Sequence, residues 1–200
     1  MIDKVIFDTD GVVIRREMYF SACLTKDYGT APEKILPFFK NEFQQCLIGQ
    51  ADLKEELKKY ISSWDWTGTI DQLLAYWFKN ESDVDRRILH TVQTLRTAGI
   101  HCYLDTNNEK YRTEFLRETL KLSDSFENVF SSSELGYAKP SLEFWKTIHQ
   151  RLGQPEKTSL LVWDDEAESV KSAQDFGFHA ELYTGFGPFQ TSMQTWLSPT

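Results

Sequence analysis

Val5-Ile6-Phe7-Asp8-Thr9-Asp10-Gly11-Val12 is the stretch that decides the fold of this 200-residue chain. An apolar run ends in two acids, one residue apart, and then glycine. Successive side chains of a strand point to opposite faces, so Asp8 and Asp10 share a side if the strand continues. Open α/β sheets bind their ligands at such strand ends, and two close carboxylates repel unless a cation or shared proton intervenes. The stretch predicts either a ligand site or an acidic turn, because Asp and Gly also favour turns.

Three later segments place polar residues near the ends of strand-like runs. Thr106-Asn107 follows the run from Ile100 to Leu104, and Asp164-Asp165 follows the run from Leu160 to Trp163. Lys139-Pro140 precedes a new helix. Taken singly, a Thr often caps a helix, a Lys is usually a solvated charge, and an acidic pair favours a helix N-terminus. Four such segments in one ordered series favour a single site instead.

This series resembles the haloacid dehalogenase superfamily of hydrolases, most of which are phosphatases. The resemblance runs from Val5 to about Ala180 and covers all four motifs in the family's order. In that order, the matching segments are Asp8-Thr9-Asp10-Gly11-Val12, Thr106-Asn107, Lys139-Pro140 and the acidic pair Asp164-Asp165.

Two residues depart from the family's pattern. Ser169 stands where the family usually has Asn or Asp, four residues after the fourth-motif acid. The resemblance places Asp164 and Ser169 behind the metal ligands, or lets Asp164 share the metal's water ligands. Asp105 occupies a strand position that is normally apolar, which indicates either an extra polar contact or a mobile strand end.

The periodicity predicts an α/β fold, with a parallel sheet flanked by helices and a small all-helical insertion. The resemblance implies the same arrangement, a Rossmann-like core with a cap inserted after the first motif. We expect residues 1–14 and 81–200 to form the core and residues 15–80 the helical cap. The predicted core elements are a helix from Asp83 closed by Gly99, strands Ile100 to Leu104, Asn128 to Ser131, Leu160 to Trp163 and Phe178 to Leu182, helices Tyr111 to Leu120, Leu142 to Leu152 and Ala167 to Phe176, and a short tail helix ending near Trp196-Leu197.

Composition narrows the possible partners and the location. The net charge of −8 argues against nucleic acid, and no apolar stretch is long enough to span a membrane. Cys23, Cys46 and Cys102 are widely spaced without a zinc pattern, which favours reduced thiols in a cytoplasmic protein. The N-terminus enters a strand at once, so we expect no signal peptide. We expect a monomer or homodimer.

The charges of the motifs indicate metal-assisted phosphoryl transfer. A phosphate monoester is dianionic at neutral pH and repels a carboxylate, whereas Mg²⁺ holds Asp8, Asp165 and a phosphate oxygen together. The resemblance makes Asp8 the nucleophile that forms an aspartyl-phosphate and adds the backbone carbonyl of Asp10 to the metal ligands. It makes the Asp10 side chain the acid and then the base.

The resemblance also implies the groups that bind the substrate phosphate. Thr106 and Asn107 are expected to donate hydrogen bonds to it, together with Gly11, and Lys139 supplies positive charge and steadies Asp8. The implied enzyme is a Mg²⁺-dependent phosphatase of a small phosphorylated metabolite, a sugar phosphate or similar. The cap would select the substrate. Its aromatic residues at helical spacing favour core packing over a ligand platform: Phe38, Phe39, Trp64, Trp66, Trp77 and Phe78.

Four alternatives use related chemistry. A hydrolytic dehalogenase needs no acid at position 10, so Asp10 counts against it. In a response-regulator receiver the acidic pair comes early, whereas Asp164-Asp165 comes last here. A phosphomutase of the same fold needs the same acid and base and stays possible from sequence. A non-catalytic phospho-ligand-binding protein would be expected to have lost Asp8, Asp10 or Lys139.

Overall fold

The chain folds around a parallel sheet with a short antiparallel ribbon beside it. In this computed structural model, which describes residues 1–197, five strands pair in the order β5-β4-β1-β6-β7, all parallel. The α/β prediction is therefore confirmed. The strands are β1 Lys4–Asp8, β2 Ile14–Arg15, β3 Asp83–Val84, β4 His101–Thr106, β5 Val129–Ser131, β6 Leu160–Asp164 and β7 His179–Leu182.

Helices occupy most of the chain between these strands. Residues 16–82 are helices and loops, as the sequence predicts, and the remaining helices flank the sheet. The helices are α1 Phe20–Tyr28, α2 Pro32–Lys40, α3 Glu42–Leu47, α4 Leu53–Lys58, α5 Ile70–Asn80, α6 Arg86–Thr97, α7 Lys110–Glu114, α8 Leu122–Ser125, α9 Ser132–Leu135, α10 Leu142–Arg151, α11 Ala167–Phe176 and α12 Phe186–Leu197.

The central strand β1 is buried on both faces because its residues are apolar on both sides. Val5 and Phe7 lie in one apolar cluster, which includes side chains of α6 and α12. Ile6 lies in a second cluster on the opposite face, with side chains of α10 and α11. Such continuous apolar runs are typical of parallel strands covered by helices on both sides. The sheet therefore holds the carboxyl end of β1, where Asp8 lies, in a rigid position.

Helices α1 to α5 surround an apolar cluster of their own, which is rich in aromatic side chains. Phe20 of α1 stacks on Trp77 of α5 with ring centroids 4.6 Å apart. The core interpretation is confirmed for four of the six aromatic residues singled out from the sequence, whose side chains are buried; Phe39 and Trp66 are partly exposed. The buried four are Phe38, Trp64, Trp77 and Phe78.

A two-stranded ribbon joins this bundle to the sheet domain. Ile14 pairs with Val84 and Arg15 with Asp83 in antiparallel register. The prediction that Asp83 begins a helix is therefore wrong, because Asp83 is held in the ribbon. Helix α6 begins at Arg86 instead, where the Asp85 side chain caps it by accepting a hydrogen bond from the Arg87 N–H at 2.9 Å.

Other predicted elements differ mainly at their ends. The helix predicted from Tyr111 to Leu120 is α7 followed by a π-helical segment, Phe115–Thr119. Short helices α8 and α9 were not predicted, and a 3₁₀ turn at Lys157–Ser159 precedes β6. The predicted tail helix is α12, which is 12 residues long and reaches Leu197, the last residue that the structure describes.

Two sequence expectations concern the cysteines and the membrane. All three cysteines are buried free thiols, as predicted from their spacing. Within residues 1–197, no helix has both the length and the apolar character that crossing a bilayer requires.

Candidate active site

The predicted site residues converge at the carboxyl edge of the sheet. Asp8 ends β1, Thr106 ends β4 and Asp164 ends β6, and these three strands are neighbours. Lys139 comes from the loop between α9 and α10 and reaches the same point. Its peptide bond to Pro140 is cis. The crossover connections of a parallel sheet therefore gather distant residues, such as Asp8 and Lys139, which lie 131 positions apart in sequence.

Lys139 is the centre of a buried cluster of charges. Its Nζ donates to Asp8 Oδ1 at 2.7 Å, to Asp105 Oδ1 at 2.5 Å and to Asp164 Oδ2 at 2.6 Å. Burial alone would lower the pKa of Lys139, but the carboxylates raise it well above its ordinary value. Lys139 is therefore a fixed positive charge beside Asp8.

The carboxylates of this cluster are held in an unfavourable environment for negative charge. Burial raises the pKa of Asp8 well above its usual range, and the charges of Asp164 and Asp105 act in the same direction. Burial also raises the pKa of Asp105 to about 6. Three carboxylates share one ammonium group here, so the cluster carries an excess of negative charge that a bound cation would relieve.

Asp105 is an integral part of this cluster. Its side chain is fully buried, its Oδ1 accepts a hydrogen bond from Lys139, and its Oδ2 has no hydrogen-bond partner within residues 1–197. Of the two interpretations that the sequence left open, the extra polar contact is confirmed.

Three carboxylates form a group suited to a metal ion. Oxygen atoms of Asp8, Asp164 and Asp165 all lie within 4.8 Å of one another. Partial burial and repulsion from Asp164 raise the pKa of Asp165. Carboxylate oxygens are the ligands that Mg²⁺ prefers, and a divalent cation would relieve this repulsion. The donor set therefore fits the magnesium ion that the sequence resemblance implies. Asp164, which was expected behind the metal ligands, belongs to this group.

Two backbone groups that the sequence assigned to ligands have protein partners. The Asp10 carbonyl, expected to bind metal, accepts a hydrogen bond from Arg16 Nη2 at 2.6 Å. The Gly11 N–H, expected near the phosphate, donates to Ile14 O at 2.8 Å. In this conformation the Gly11 N–H closes the turn after β1, and the binding of phosphate by Gly11 stays a prediction.

The backbone conformation and the close neighbours of residue 11 nevertheless require a glycine there. Its φ of +111° lies in a region that side chains rarely adopt, and a Cβ atom here would lie 2.0 Å from Asp165 Oδ2. The absence of a side chain at Gly11 therefore lets Asp165 approach the turn that carries Asp8 and Asp10.

The Asp10 carboxylate is held apart from the lysine cluster by two other residues. Arg112 Nη2 lies 3.1 Å from Asp10 Oδ1, and Asn108 Nδ2 donates to Asp10 Oδ2 at 2.7 Å. Arg112 is buried and also donates to the backbone carbonyls of Phe78 and Glu81 at the end of α5. Asp8 and Asp10 thus lie in different hydrogen-bonding environments although only one residue separates them.

Thr106 and Asn107 behave differently at the end of β4. Thr106 Oγ1 accepts a hydrogen bond from Asn108 Nδ2 at 2.5 Å, which directs its own hydroxyl hydrogen elsewhere. The Asn107 side chain pairs with the Lys139 backbone, donating to Lys139 O at 2.9 Å and accepting from Lys139 N at 2.8 Å. The Asn107 side chain therefore orients the loop that carries Lys139.

Ser169 lies in α11, and its buried Oγ has no hydrogen-bond partner among the described residues. It makes no bond to Lys139, whose three carboxylate partners are already in place. The contact that an Asn or Asp would supply from this position is therefore missing.

Sequence reasoning missed Asn108, Arg112 and Arg16. Asn108 continues the Thr106-Asn107 segment, which was the one available signal. Arg112 lies 102 residues from Asp10, and nothing in its helix distinguishes it from a solvated arginine. Arg16 lies close to the first motif, but in sequence it is indistinguishable from a solvated surface arginine.

A cavity of about 600 Å³ lies above these residues. Its floor includes Asp8, Thr106 and Lys139. Its opposite side is formed by side chains of the bundle helices, among them Phe39 and Phe43. Pockets of this size accommodate small-molecule ligands.

Comparisons with known proteins agree with this architecture. A family model described as haloacid dehalogenase-like hydrolase matches residues 2–177. A D-ribitol-5-phosphate phosphatase of Bacteroides thetaiotaomicron is 24% identical over 187 residues, which cover 89% of this chain and 90% of that protein. A sesquiterpene phosphatase of Aspergillus oryzae is 30% identical over 93 residues, 46% of this chain; the match spans only 47% of that relative.

Solved structures show the same fold. The crystal structure of a HAD family enzyme from Bacteroides thetaiotaomicron in a magnesium complex has a TM-score of 0.82 at 21% identity, with 96% of this chain and 98% of that chain covered. A predicted HAD-like family hydrolase from Porphyromonas gingivalis has a TM-score of 0.82 at 19% identity, with both chains fully covered.

Proposed function

The chain belongs to the haloacid dehalogenase-like hydrolases, and on this premise we propose that it is a Mg²⁺-dependent phosphatase of small phosphate monoesters. The observation that carries the proposal is the pairing of Asp8 with Lys139 at 2.7 Å, beside an acidic group suited to a divalent cation. Asp10 lies at the same edge with partners of its own. This arrangement combines a nucleophile, a positive charge and a separate acid.

Asp8, Asp164 and Asp165 would hold the magnesium ion, whose charge offsets the repulsion between the carboxylates and a dianionic phosphate. Lys139 fixes the orientation of Asp8 through Oδ1, which leaves Oδ2 as the attacking atom.

The proposed reaction has two steps. In the first, Asp8 forms a bond to phosphorus while the bond to the ester oxygen breaks, and Asp10 gives that oxygen its proton. In the second, Asp10 takes a proton from water, whose oxygen attacks the phosphorus and releases Asp8 and inorganic phosphate. The Thr106 hydroxyl and the Asn107 backbone N–H would bind the phosphoryl oxygens, with Lys139 stabilising their charge.

We also propose that residues 15–80 form a cap over this site and that residues 1–14 and 81–200 form the catalytic core. The separate apolar cluster of α1 to α5 supports this division. The cavity supports it too, since it is lined both by the carboxyl edge of the sheet and by the bundle. A lid of this kind excludes water during chemistry and opens to release product.

The alternatives are less well supported. Asp10 argues against a dehalogenase, because a halide leaves without a proton. A phosphomutase that uses a bisphosphate needs a second cationic subsite, but both cations that line the cavity, Arg16 and Lys139, are already bonded to protein oxygens. Asp8, Asp10 and Lys139 all reach the edge, which argues against a non-catalytic binding protein.

The relatives bear on the substrate only in part. One is named for a sugar-alcohol phosphate and the other for a sesquiterpene, so their names indicate two chemically different classes. The sugar phosphate favoured by the sequence, the cytoplasmic location and the monomeric or homodimeric state stay predictions.

The test is Mg²⁺-dependent release of phosphate from p-nitrophenyl phosphate. We expect exhaustive chelation to abolish turnover and added Mg²⁺ to restore it. Asp8→Asn, which keeps the shape but removes the attacking charge, should leave almost no turnover. Asp175→Asn, the same change at an exposed acid of α11, is the control. Full activity after chelation, or in Asp8→Asn, would exclude the proposed chemistry.

A further inference from the structure

The cavity above the site has two chemically different sides. Charged and polar groups form the floor at the edge of the sheet. The opposite side is built from four helices of the bundle, and large apolar side chains dominate it: Phe20 of α1, Leu36 and Phe39 of α2, Phe43 and Leu47 of α3, and Trp77 of α5. We call these six residues the apolar wall.

Polar atoms on this side are largely bonded to the protein itself. Trp77 Nε1 donates to Glu81 Oε2 at 2.9 Å, and Glu81 Oε1 accepts from the Phe20 N–H at 2.9 Å. Gln44 Nε2 donates to Phe39 O at 2.7 Å. The hydroxyl groups of a sugar or polyol would lose water on entering and find few partners here, which is unfavourable.

The charges of the cavity also restrict what accompanies the phosphate. Arg16 is one of the two cations that line the cavity, but its guanidinium bonds to the Asp10 carbonyl and lies 4.8 Å from the centre of the Tyr19 ring. Lys139 is surrounded by carboxylates. Glu81, Asp165 and Glu166 add negative charge to the lining. A second phosphate or carboxylate on the substrate would therefore meet repulsion without a free cation.

We propose that the substrate is the monophosphate ester of an uncharged, largely apolar alcohol, whose hydrocarbon part lies against the apolar wall. This inference rests on the proposed phosphatase function and deepens it. Burial of the hydrocarbon part supplies the binding free energy, and the phosphate alone reaches the charged floor. The proposal disfavours sugar phosphates, bisphosphates and phosphorylated acids.

The test compares substrates that share the phosphate and differ in the group attached to it. Geranyl monophosphate represents the apolar class, and D-glucose 6-phosphate and D-ribitol 5-phosphate represent the hydroxylated class. Acetyl phosphate has almost no apolar part and reports the chemistry of the floor. We expect kcat/KM of the full-length protein with Mg²⁺ to be at least about tenfold higher for geranyl monophosphate than for either sugar compound.

A wall variant shows whether the preference arises where we propose. Leu36 is 42% exposed at the cavity, so Leu36→Gln should fold normally. We expect it to lower the ratio of kcat/KM for geranyl monophosphate to that for acetyl phosphate by about tenfold, since one apolar contact in a pocket is worth that much. Leu197→Gln, equally exposed at 42% but outside the cavity, should leave the ratio unchanged.

The outcomes separate this inference from the proposed function. Hydrolysis of acetyl phosphate together with equal or better turnover of the sugar compounds would overturn the apolar class and leave the phosphatase intact. An unchanged ratio in Leu36→Gln would overturn the role of the wall. Failure to hydrolyse any ester with Mg²⁺ would overturn the phosphatase and this inference with it.

Discussion

At the scale of single residues, Asp105 changes the charge balance of the site. Lys139 donates to three carboxylates, and Asp105 is the one that does not belong to the group suited to a metal. It competes with Asp8 and Asp164 for the ammonium group. By occupying one donor of Lys139, Asp105 leaves Asp8 and Asp164 with more unneutralised charge for a cation. We propose that Asp105 is a positioning residue behind the carboxylates suited to the metal.

The variant Asp105→Asn tests this role. It keeps the shape, removes one negative charge and leaves Lys139 to bond more strongly to Asp8 and Asp164. We expect the Mg²⁺ affinity to fall by about 10–100-fold, as is typical when groups behind metal ligands are changed. Calorimetric titration with Mg²⁺ in the absence of substrate measures it. Asp175→Asn carries the same charge change at the surface, and an equal effect in both variants would contradict the proposed role.

Asp10 and Arg112 form a second pair at this scale. Asp10→Asn should slow alkyl phosphates by about 10²–10⁴-fold, because their alkoxide leaving groups need a proton. Aryl phosphates should be slowed much less. Arg112→Lys should shift the alkyl-to-aryl ratio of kcat in the same direction, because a lysine cannot bond to Asp10 and to the Phe78 and Glu81 carbonyls together.

The ratio matters more than the overall rate in this experiment. A variant that merely loosens the fold would lower turnover of both ester types by the same factor. Equal losses on alkyl and aryl phosphates would therefore contradict the acid role of Asp10, and in Arg112→Lys they would contradict the positioning role.

At the scale of elements, Asp52 joins the bundle to the sheet domain. Its Oδ1 accepts from the N–H groups of Lys54 and Glu55 and caps α4, while Tyr111 donates to its Oδ2 at 2.9 Å and Lys110 lies 2.5 Å away. Burial opposes ionisation, but the bonds from Lys110 and Tyr111 dominate and lower its pKa to about 2. One carboxylate thus begins a bundle helix and contacts α7.

Two substitutions separate these roles. Asp52→Asn keeps a good cap but loses the charge, whereas Asp52→Ala loses both, so we expect Asp52→Ala to be less stable by about 1 kcal/mol more. Because the folded pKa is depressed, the stability that wild type gains over Asp52→Asn is present above pH 3.8 and lost toward pH 2. Urea unfolding at neutral and acidic pH measures it. A difference that stays constant or grows on acidification would contradict the ion pair.

The sequence predicted those elements whose signal is local. Strands β1 and β6 are apolar runs that end in acids, and their residues alone identify them. The ribbon of β2 and β3 has two residues per strand, too few to show alternation. Asp83 and Asp85 are equally good helix caps in sequence, and only the pairing of Asp83 with Arg15 decides between them.

The site likewise contains residues that the local sequence predicts and contacts that it does not predict. The motif residues were predictable because their order, and the apolar runs that come before most of them, can be recognised in the sequence. The clamp of Arg112 on Asp10 spans 102 residues, and the approach of Asp165 to Gly11 spans more than 150. Such contacts depend on how the loops pack over the sheet edge, and no local pattern encodes that packing.

At the scale of the whole molecule, the ribbon of β2 and β3 carries the chain between the sheet domain and the bundle. The chain enters the bundle after β2 and leaves it before β3, and these two strands pair with each other. Arg15 and Asp83 close this pair with a salt bridge of 2.7 Å between their side chains. The bundle can therefore be removed at one point without parting the strands that flank it, and the site residues on the sheet edge stay in the remaining chain.

The bundle can be deleted between the two strands of the ribbon. Replacing residues 16–82 by a short hairpin turn keeps the Arg15–Asp83 pair and leaves Asp8, Asp10, Thr106, Lys139 and Asp165 in place. We expect the truncated protein to bind Mg²⁺, because the carboxylates suited to the ion remain together with Lys139. It should hydrolyse acetyl phosphate slowly, because Arg112 loses the Phe78 and Glu81 carbonyls and water enters freely. It should no longer distinguish geranyl monophosphate from sugar phosphates, since the apolar wall is gone. Removal also exposes Tyr111 and Phe115, which pack against the bundle, so Phe115→Gln is included to keep the protein soluble.

Circular dichroism and Mg²⁺ calorimetry first establish that the truncated protein is folded and binds the ion. Its kcat/KM values are then ranked over the same esters as for the full-length protein. If the bundle selects the substrate, the kcat/KM values of the truncated protein should become similar for all of these esters. The parts of the substrate beyond the phosphate have then lost their contacts. A folded truncation that keeps the full-length ranking would place specificity in the loops at the sheet edge. The aromatic residues of α1 to α5 would then serve only to hold the bundle together.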